Sequence, residues 1–139
     1  MKIRDVIERD LANEPQSVVK VYETGVLHTD LLEYVLTDQL ARAFSRVLEG
    51  VVDSARPPGV ETGKVGIWVS GFFGSGKSHF AKLAGHLLGD TPIREDTARS
   101  LFLRLLHTGR PSDEHLRELL QQATNYGLSS HLVAFDITA

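Results

Sequence analysis

Val65-Gly66-Ile67-Trp68-Val69-Ser70-Gly71-Phe72-Phe73-Gly74-Ser75-Gly76-Lys77-Ser78 is the stretch on which the reading of this chain turns. Its opening residues, 65–70, form a short apolar run interrupted by glycine, which reads as a buried strand. Gly71 to Ser78 then spells a glycine, four free positions and Gly-Lys-Ser, the pattern of a phosphate-binding loop set between a strand and a helix. Phosphate oxygens must come close enough to the main chain for successive amides to bond them, and side chains at 71, 74 and 76 would obstruct that approach. The unpaired amides and positive dipole end of a helix starting at Lys77 complete the anion site. Lys77 is expected to reach the β- and γ-phosphates and the Ser78 hydroxyl to bind Mg²⁺. Gly71, Phe72, Phe73, Gly74, Ser75, Gly76, Lys77, Ser78 and the adjoining His79 are therefore the candidate nucleotide-binding residues. Phe72 and Phe73 are unusual bulk at free positions, read either as apolar anchors beneath the loop or as a surface for a partner. A guanine site would call for an Asn-Lys-x-Asp segment, which does not occur, so ATP with Mg²⁺ is the expected cofactor.

Downstream of the loop, Phe80, Leu83, Ala84, Leu87 and Leu88 share one face of a helix that stops at Gly89. Helical spacing returns over 97–107 and again from a Ser112 cap to Gly127, and residues 131–137 look like a second buried strand. Upstream, an apolar stripe from Leu32 to Val52 predicts one long amphipathic helix over 30–54, capped by Thr29 or Asp30 and ended by Arg56-Pro57-Pro58-Gly59. A short helix over 3–11 and a strand from Ser17 to Tyr22 precede it. The domain organisation expected is a mainly helical region over 1–56, a linker over 57–63, and the first part of a nucleotide-binding domain over 64–139. The fold class expected is α/β, a P-loop NTPase of AAA-like type with a parallel sheet flanked by helices. Two clear strands are fewer than such a sheet needs, so the domain is expected to be incomplete and the chain cut short.

Composition bounds the rest. The 139 residues are 42% hydrophobic and 24% charged, with a net charge of −3 and no cysteine. No window approaches the roughly 18 apolar residues of a membrane span, and the mixed charge of Met1-Lys2-Ile3-Arg4-Asp5 does not suit a signal peptide. A disulfide framework, a thiolate zinc site and a cysteine nucleophile are excluded, as is a strongly basic nucleic-acid binder. A cytoplasmic setting is expected.

Hydrolysis asks for a second acidic residue near Mg²⁺ and a group that orients water. Leu132 to Asp136 has the shape of an Mg²⁺-side acidic strand, but Ile137 follows where a glutamate would serve as base. For Asp136 both a Mg²⁺-linked catalytic role and a polar strand end stay open. The six histidines are scattered, and His79 and His86 stand seven apart rather than the four of a metal pair. Glu95-Asp96 and Asp113-Glu114 sit at helix starts, where negative charge complements the dipole.

The run from Trp68 to Phe80 resembles the phosphate-loop signature of the large BREX phage-defence ATPases (BrxC or PglY type), and Met1 to Asp5, Val18 to Val21 and Leu32 to Thr37 are similar to that family's N-terminal region. The resemblance spans most of 1–90. It implies an AAA-like ATPase core and a cytoplasmic bacterial protein acting beside a methyltransferase and other BREX components. It further implies an N-terminal fragment that supplies the phosphate loop while turnover needs residues beyond it; DNA contact is expected only through the intact assembly, since this segment's charge gives it no support, and no membrane partner is expected. The alternative reading is a nonhydrolytic nucleotide-binding or protein-interaction module whose long helix docks a partner. A small metabolite kinase is a third, disfavoured by the lack of placeable substrate-binding arginines.

Overall fold

A computed structural model describes residues 26–55, 66–72 and 74–133. The expected helix over 3–11, the strand from Ser17 to Tyr22, the 57–63 linker, Phe73 and Asp136 lie outside the described residues.

The upstream stripe forms two helices where one was expected. α1 (Leu27–Glu33) stops at Tyr34, whose ψ of 125° is extended, and α2 (Asp38–Ser54) starts afresh behind Thr37. Thr37 supplies the cap, its Oγ1 accepting from the Leu40 amide at 3.2 Å, while Asp30 lies inside α1. Such a side-chain oxygen satisfies an amide that has no partner in the first turn. Because the chain turns at 34–37, Leu32 and Val35 of the apparent stripe face solvent, and Leu31 and Leu36 are the buried ones.

α3 (Lys77–Gly89) matches its expected bounds. It is followed by a tight hairpin, β1 (Pro92–Ile93) against β2 (Asp96–Thr97), in which Arg94 takes a positive φ of 57°. Thr97 then caps α4 (Ala98–Leu103) by accepting from the Ser100 amide. α5 (Pro111–Asn125) begins with proline at its first turn, where a missing N–H costs nothing, and Gly127 leaves it with φ +62°. Ser112 is not the cap expected from the sequence; its hydroxyl donates to Asp38 Oδ1 at 2.6 Å and ties the two helix starts together.

The core forms where α2 packs on α5, burying Phe44 and Leu48 of the one and Leu116 and Leu120 of the other, and α3 and α4 add Leu83, Leu87, Leu101 and Phe102 to the same cluster. Phe44 is its aromatic centre, with ring centroids 4.4 Å from Phe80, 5.0 Å from Phe102 and 6.0 Å from Tyr34. The apolar face of the 30–54 region, which the alternative reading has dock a partner, is spent largely on this internal packing.

The expected parallel-sheet P-loop NTPase fold is not what forms. Helix accounts for 60% of the described residues, and their single sheet is the two-stranded antiparallel β1–β2 hairpin. Residues 66–72, read as containing a buried strand, join no sheet and lie exposed, with Trp68 at 89%. Residues 131–133 likewise form no strand, and Val133 is 78% exposed. An apolar run becomes a buried strand only when other strands bond its edges and helices cover its faces, and neither element finds such partners among the described residues.

Two close approaches hold 128–133 along α3. A Cβ on Gly89 would meet the Ser130 carbonyl at 2.7 Å, and one on Gly85 would meet Leu132 Cδ1 at 2.6 Å. The buried Arg99 guanidinium fastens the same corner, with Nε donating to the Leu87 carbonyl and Nη2 to those of Leu88 and Leu128 at 2.8–2.9 Å. It thereby bonds the Leu88 carbonyl in the last turn of α3 and adds a second donor to that of Leu87, which also accepts from the Asp90 amide.

Candidate functional site

Glycine dihedrals shape the loop ahead of α3. Gly74 (φ +77°) and Gly76 (φ +80°) are both left-handed, a conformation that opens the chain into a concave row of amides and that a Cβ would strain. Gly71 packs close beneath the loop: a Cβ there would stand 2.8 Å from Ser75 Oγ, a hydroxyl that can turn aside, and in ordinary contact with the Lys77 stem. Within the loop, the Ser75 amide donates to the Phe72 carbonyl at 3.2 Å. Helical bonding resumes with the Phe80 amide on the Gly76 carbonyl at 2.9 Å, so the amides just before Phe80 precede the first intrahelical donor.

Lys77 folds back over this turn. Its Nζ donates to the Phe72 carbonyl at 2.6 Å and lies 3.5 Å from Ser75 Oγ. The lysine charge thus stands over the loop on a single short bond, with the exposed Ser78 next to it in the first turn of α3. Phe72 is 91% exposed and anchors nothing, which removes the anchor reading for that ring and leaves it on the surface beside the loop. Magnesium in this setting would take the Ser78 hydroxyl together with phosphate oxygens and water, the donor set this hard cation prefers. The left-handed glycines, the half-buried Lys77 and the exposed Ser78 fit a triphosphate with its metal.

His79 points elsewhere. Its ring meets the edge of Tyr34 at 5.0 Å and 76°, and its buried Nε2 makes no hydrogen bond. One turn further, Lys82 is only 1% exposed and donates to Asp30 Oδ2 of α1 at 2.7 Å. His86 follows on the same face, its Nδ1 2.9 Å from Thr91 Oγ1 and its Nε2 buried without a partner. Burial, above all, holds both imidazoles below their usual range, with the Lys82 charge adding to it and Asp30 opposing. Burial also pushes the Tyr34 phenol up to about 12. The helical spacing of 79, 82 and 86 is visible in the sequence, but nothing local to it names Asp30 and Tyr34 as what these side chains face.

No family model and no solved structure matches the chain. Among the described residues no helix is long and apolar enough to cross a membrane.

Proposed function

We propose that residues 71–78 bind the triphosphate of ATP together with Mg²⁺. The observation that carries the reading is the conjunction at one helix start: left-handed Gly74 and Gly76, and a Lys77 ammonium resting on the loop's own carbonyl beside Gly71. In the complex, Lys77 exchanges the Phe72 carbonyl for phosphate oxygens, and Ser78 turns its hydroxyl to the metal. The loop amides and the α3 dipole hold the remaining charge without reorganising. Magnesium neutralises phosphate charge when bound.

This reading concerns binding. Turnover calls for an acidic group beside Mg²⁺ and a residue that orients water. The likeness of Trp68 to Phe80 to the phosphate loop of the BREX phage-defence ATPases supports placing the site in such a protein, with a methyltransferase and other BREX components as partners and the cytoplasm as its setting.

Trp68, the sole tryptophan, provides the assay through energy transfer to a fluorescent N-methylanthraniloyl ATP. Saturable, Mg²⁺-dependent binding is expected. Lys77→Ala should weaken it about 10- to 100-fold, the loss of a charge-assisted bond, with helical circular dichroism unchanged. Wild-type protein that takes up no nucleotide, or a Lys77→Ala protein that binds as well as wild type, overturns the reading.

A further inference from the structure

We infer that His79 is a positioning residue: its ring, keyed against Tyr34, sets the rotation of α3 that turns Lys77 and Ser78 toward the nucleotide. The inference rests on the triphosphate reading of the loop and concerns how that site is held in place.

An α-helix advances about 100° per residue, so fixing the direction of one side chain in the first turn fixes those of its neighbours. Residues 71, 72 and 74–76 are exposed, so no core packing holds these described loop residues, which bond within the loop from Ser75 to Phe72 and into α3 from Phe80 to Gly76. Fixation comes from the opposite side of the helix. His79 packs edge-on to Tyr34 at 5.0 Å; Tyr34 is itself backed by Phe44 at 6.0 Å and Phe102 at 6.5 Å. The next residue, Phe80, lies 4.4 Å from Phe44, so two successive side chains of the first turn are seated in one aromatic cluster. Lys82 on Asp30 then pins the following turn to α1.

The unbonded Nε2 separates a packing role from a polar one. A ring held by contacts rather than by hydrogen bonds is replaceable by another ring, whereas a histidine that donates to phosphate is not. Tyr34 acts through His79 in the same way, and its ring rather than its hydroxyl is what the contact uses. Sites whose groups are locked from behind hold their geometry better than sites left to a loop.

Full-length variants divide these roles. His79→Phe keeps the ring and removes both nitrogens; His79→Gln keeps a polar end and removes the ring. Tyr34→Phe and Tyr34→Ala serve as the matching pair. Affinity for N-methylanthraniloyl ATP and amide hydrogen exchange over residues 77–80 are read on each. His79→Phe and Tyr34→Phe are expected to bind within about twofold of wild type. His79→Gln and Tyr34→Ala should bind roughly three- to tenfold more weakly, the size of one lost aromatic contact, and exchange faster at 77–80. The inference is overturned if His79→Phe loses as much affinity as His79→Gln, which would make a ring nitrogen the phosphate contact. It is also overturned if Gln and Ala variants match wild type in both readouts. Should wild-type protein bind no ATP, the nucleotide reading fails, and exchange at 77–80 in the free protein still decides whether His79 and Tyr34 hold the turn: unchanged exchange in His79→Gln refutes it.

Discussion

Buried ionisable side chains are where single residues decide most in this fold. Asp113 is fully buried, and burial alone would raise its carboxyl; the Arg110 side chain at 2.7 Å, the His107 amide at 2.7 Å and the Ser112 hydroxyl outweigh that and hold it below the usual carboxylate range. His79 and His86 are displaced the same way by a different cause, burial beside Lys82 disfavouring their charged forms. Two pH windows follow from the signs. As pH falls through the ordinary histidine value of 6.5, the unfolded chain takes up protons that the folded imidazoles refuse, so the stability present above 6.5 drains toward their lower folded values. The Asp113 contribution, present above the ordinary value of 3.8, is lost in a second, more acid step. Urea unfolding from pH 8 to pH 5 should show the midpoint falling through the first window, and His86→Gln should flatten that fall. A midpoint independent of pH across 8 to 5, or an undiminished slope in His86→Gln, contradicts the assignment.

At the scale of elements, the two glycines on α3 meet different neighbours, and their substitutions should differ in sign. Alanine gains roughly 1 kcal/mol over glycine in a helix. At position 89 that gain meets the Ser130 backbone carbonyl, which cannot rotate away, so Gly89→Ala should be destabilising by about 1–2 kcal/mol. At position 85 the obstacle is the end of a partly exposed Leu132 side chain, which can turn aside, so Gly85→Ala should be neutral or stabilising. Thermal melting of the two proteins tests the contrast, and equal shifts would contradict it. Helices with complete local signals were legible: α3 and α5 carry their apolar faces and a terminating glycine or turn within their own sequence. The turn between α1 and α2 was not, because the stripe runs on through Leu32, Val35 and Leu36 with no glycine or proline to interrupt it. The left-handed Asp90 that ends α3 was missed for a similar reason, since Gly89, the residue expected in that role, is needed for clearance instead.

For the molecule as a whole, the exposed run ahead of the loop is the sharpest departure from expectation, and it can be measured. Trp68 at 89% exposure should be quenched by acrylamide nearly as readily as free indole, with emission characteristic of water-surrounded tryptophan; shielded, blue-shifted emission would mean that the run is covered in solution. The candidate site was legible to a different depth than the fold. The glycine positions and Lys77 were read from the sequence, and in the structure Gly74 and Gly76 are left-handed with Lys77 on the Phe72 carbonyl. The outward Phe72 was one of two readings the residue left open, and the ring that His79 meets was not legible, because each depends on what surface stands opposite. Local chemistry by itself determined the dihedrals of the loop, the start of α3 and the apolar faces of α2 and α5, since these depend on residues within a turn or two of one another. Tertiary structure alone decided that the chain breaks at 34–37, where Arg110 donates to the Leu36 carbonyl at 2.9 Å from 74 positions away. It also decided that residues 66–70 and 131–133, the described parts of the two apolar runs, join no sheet. A strand's hydrogen bonds and a helix's interruption are both completed by distant partners, and no run of neighbouring residues specifies which partners will be there.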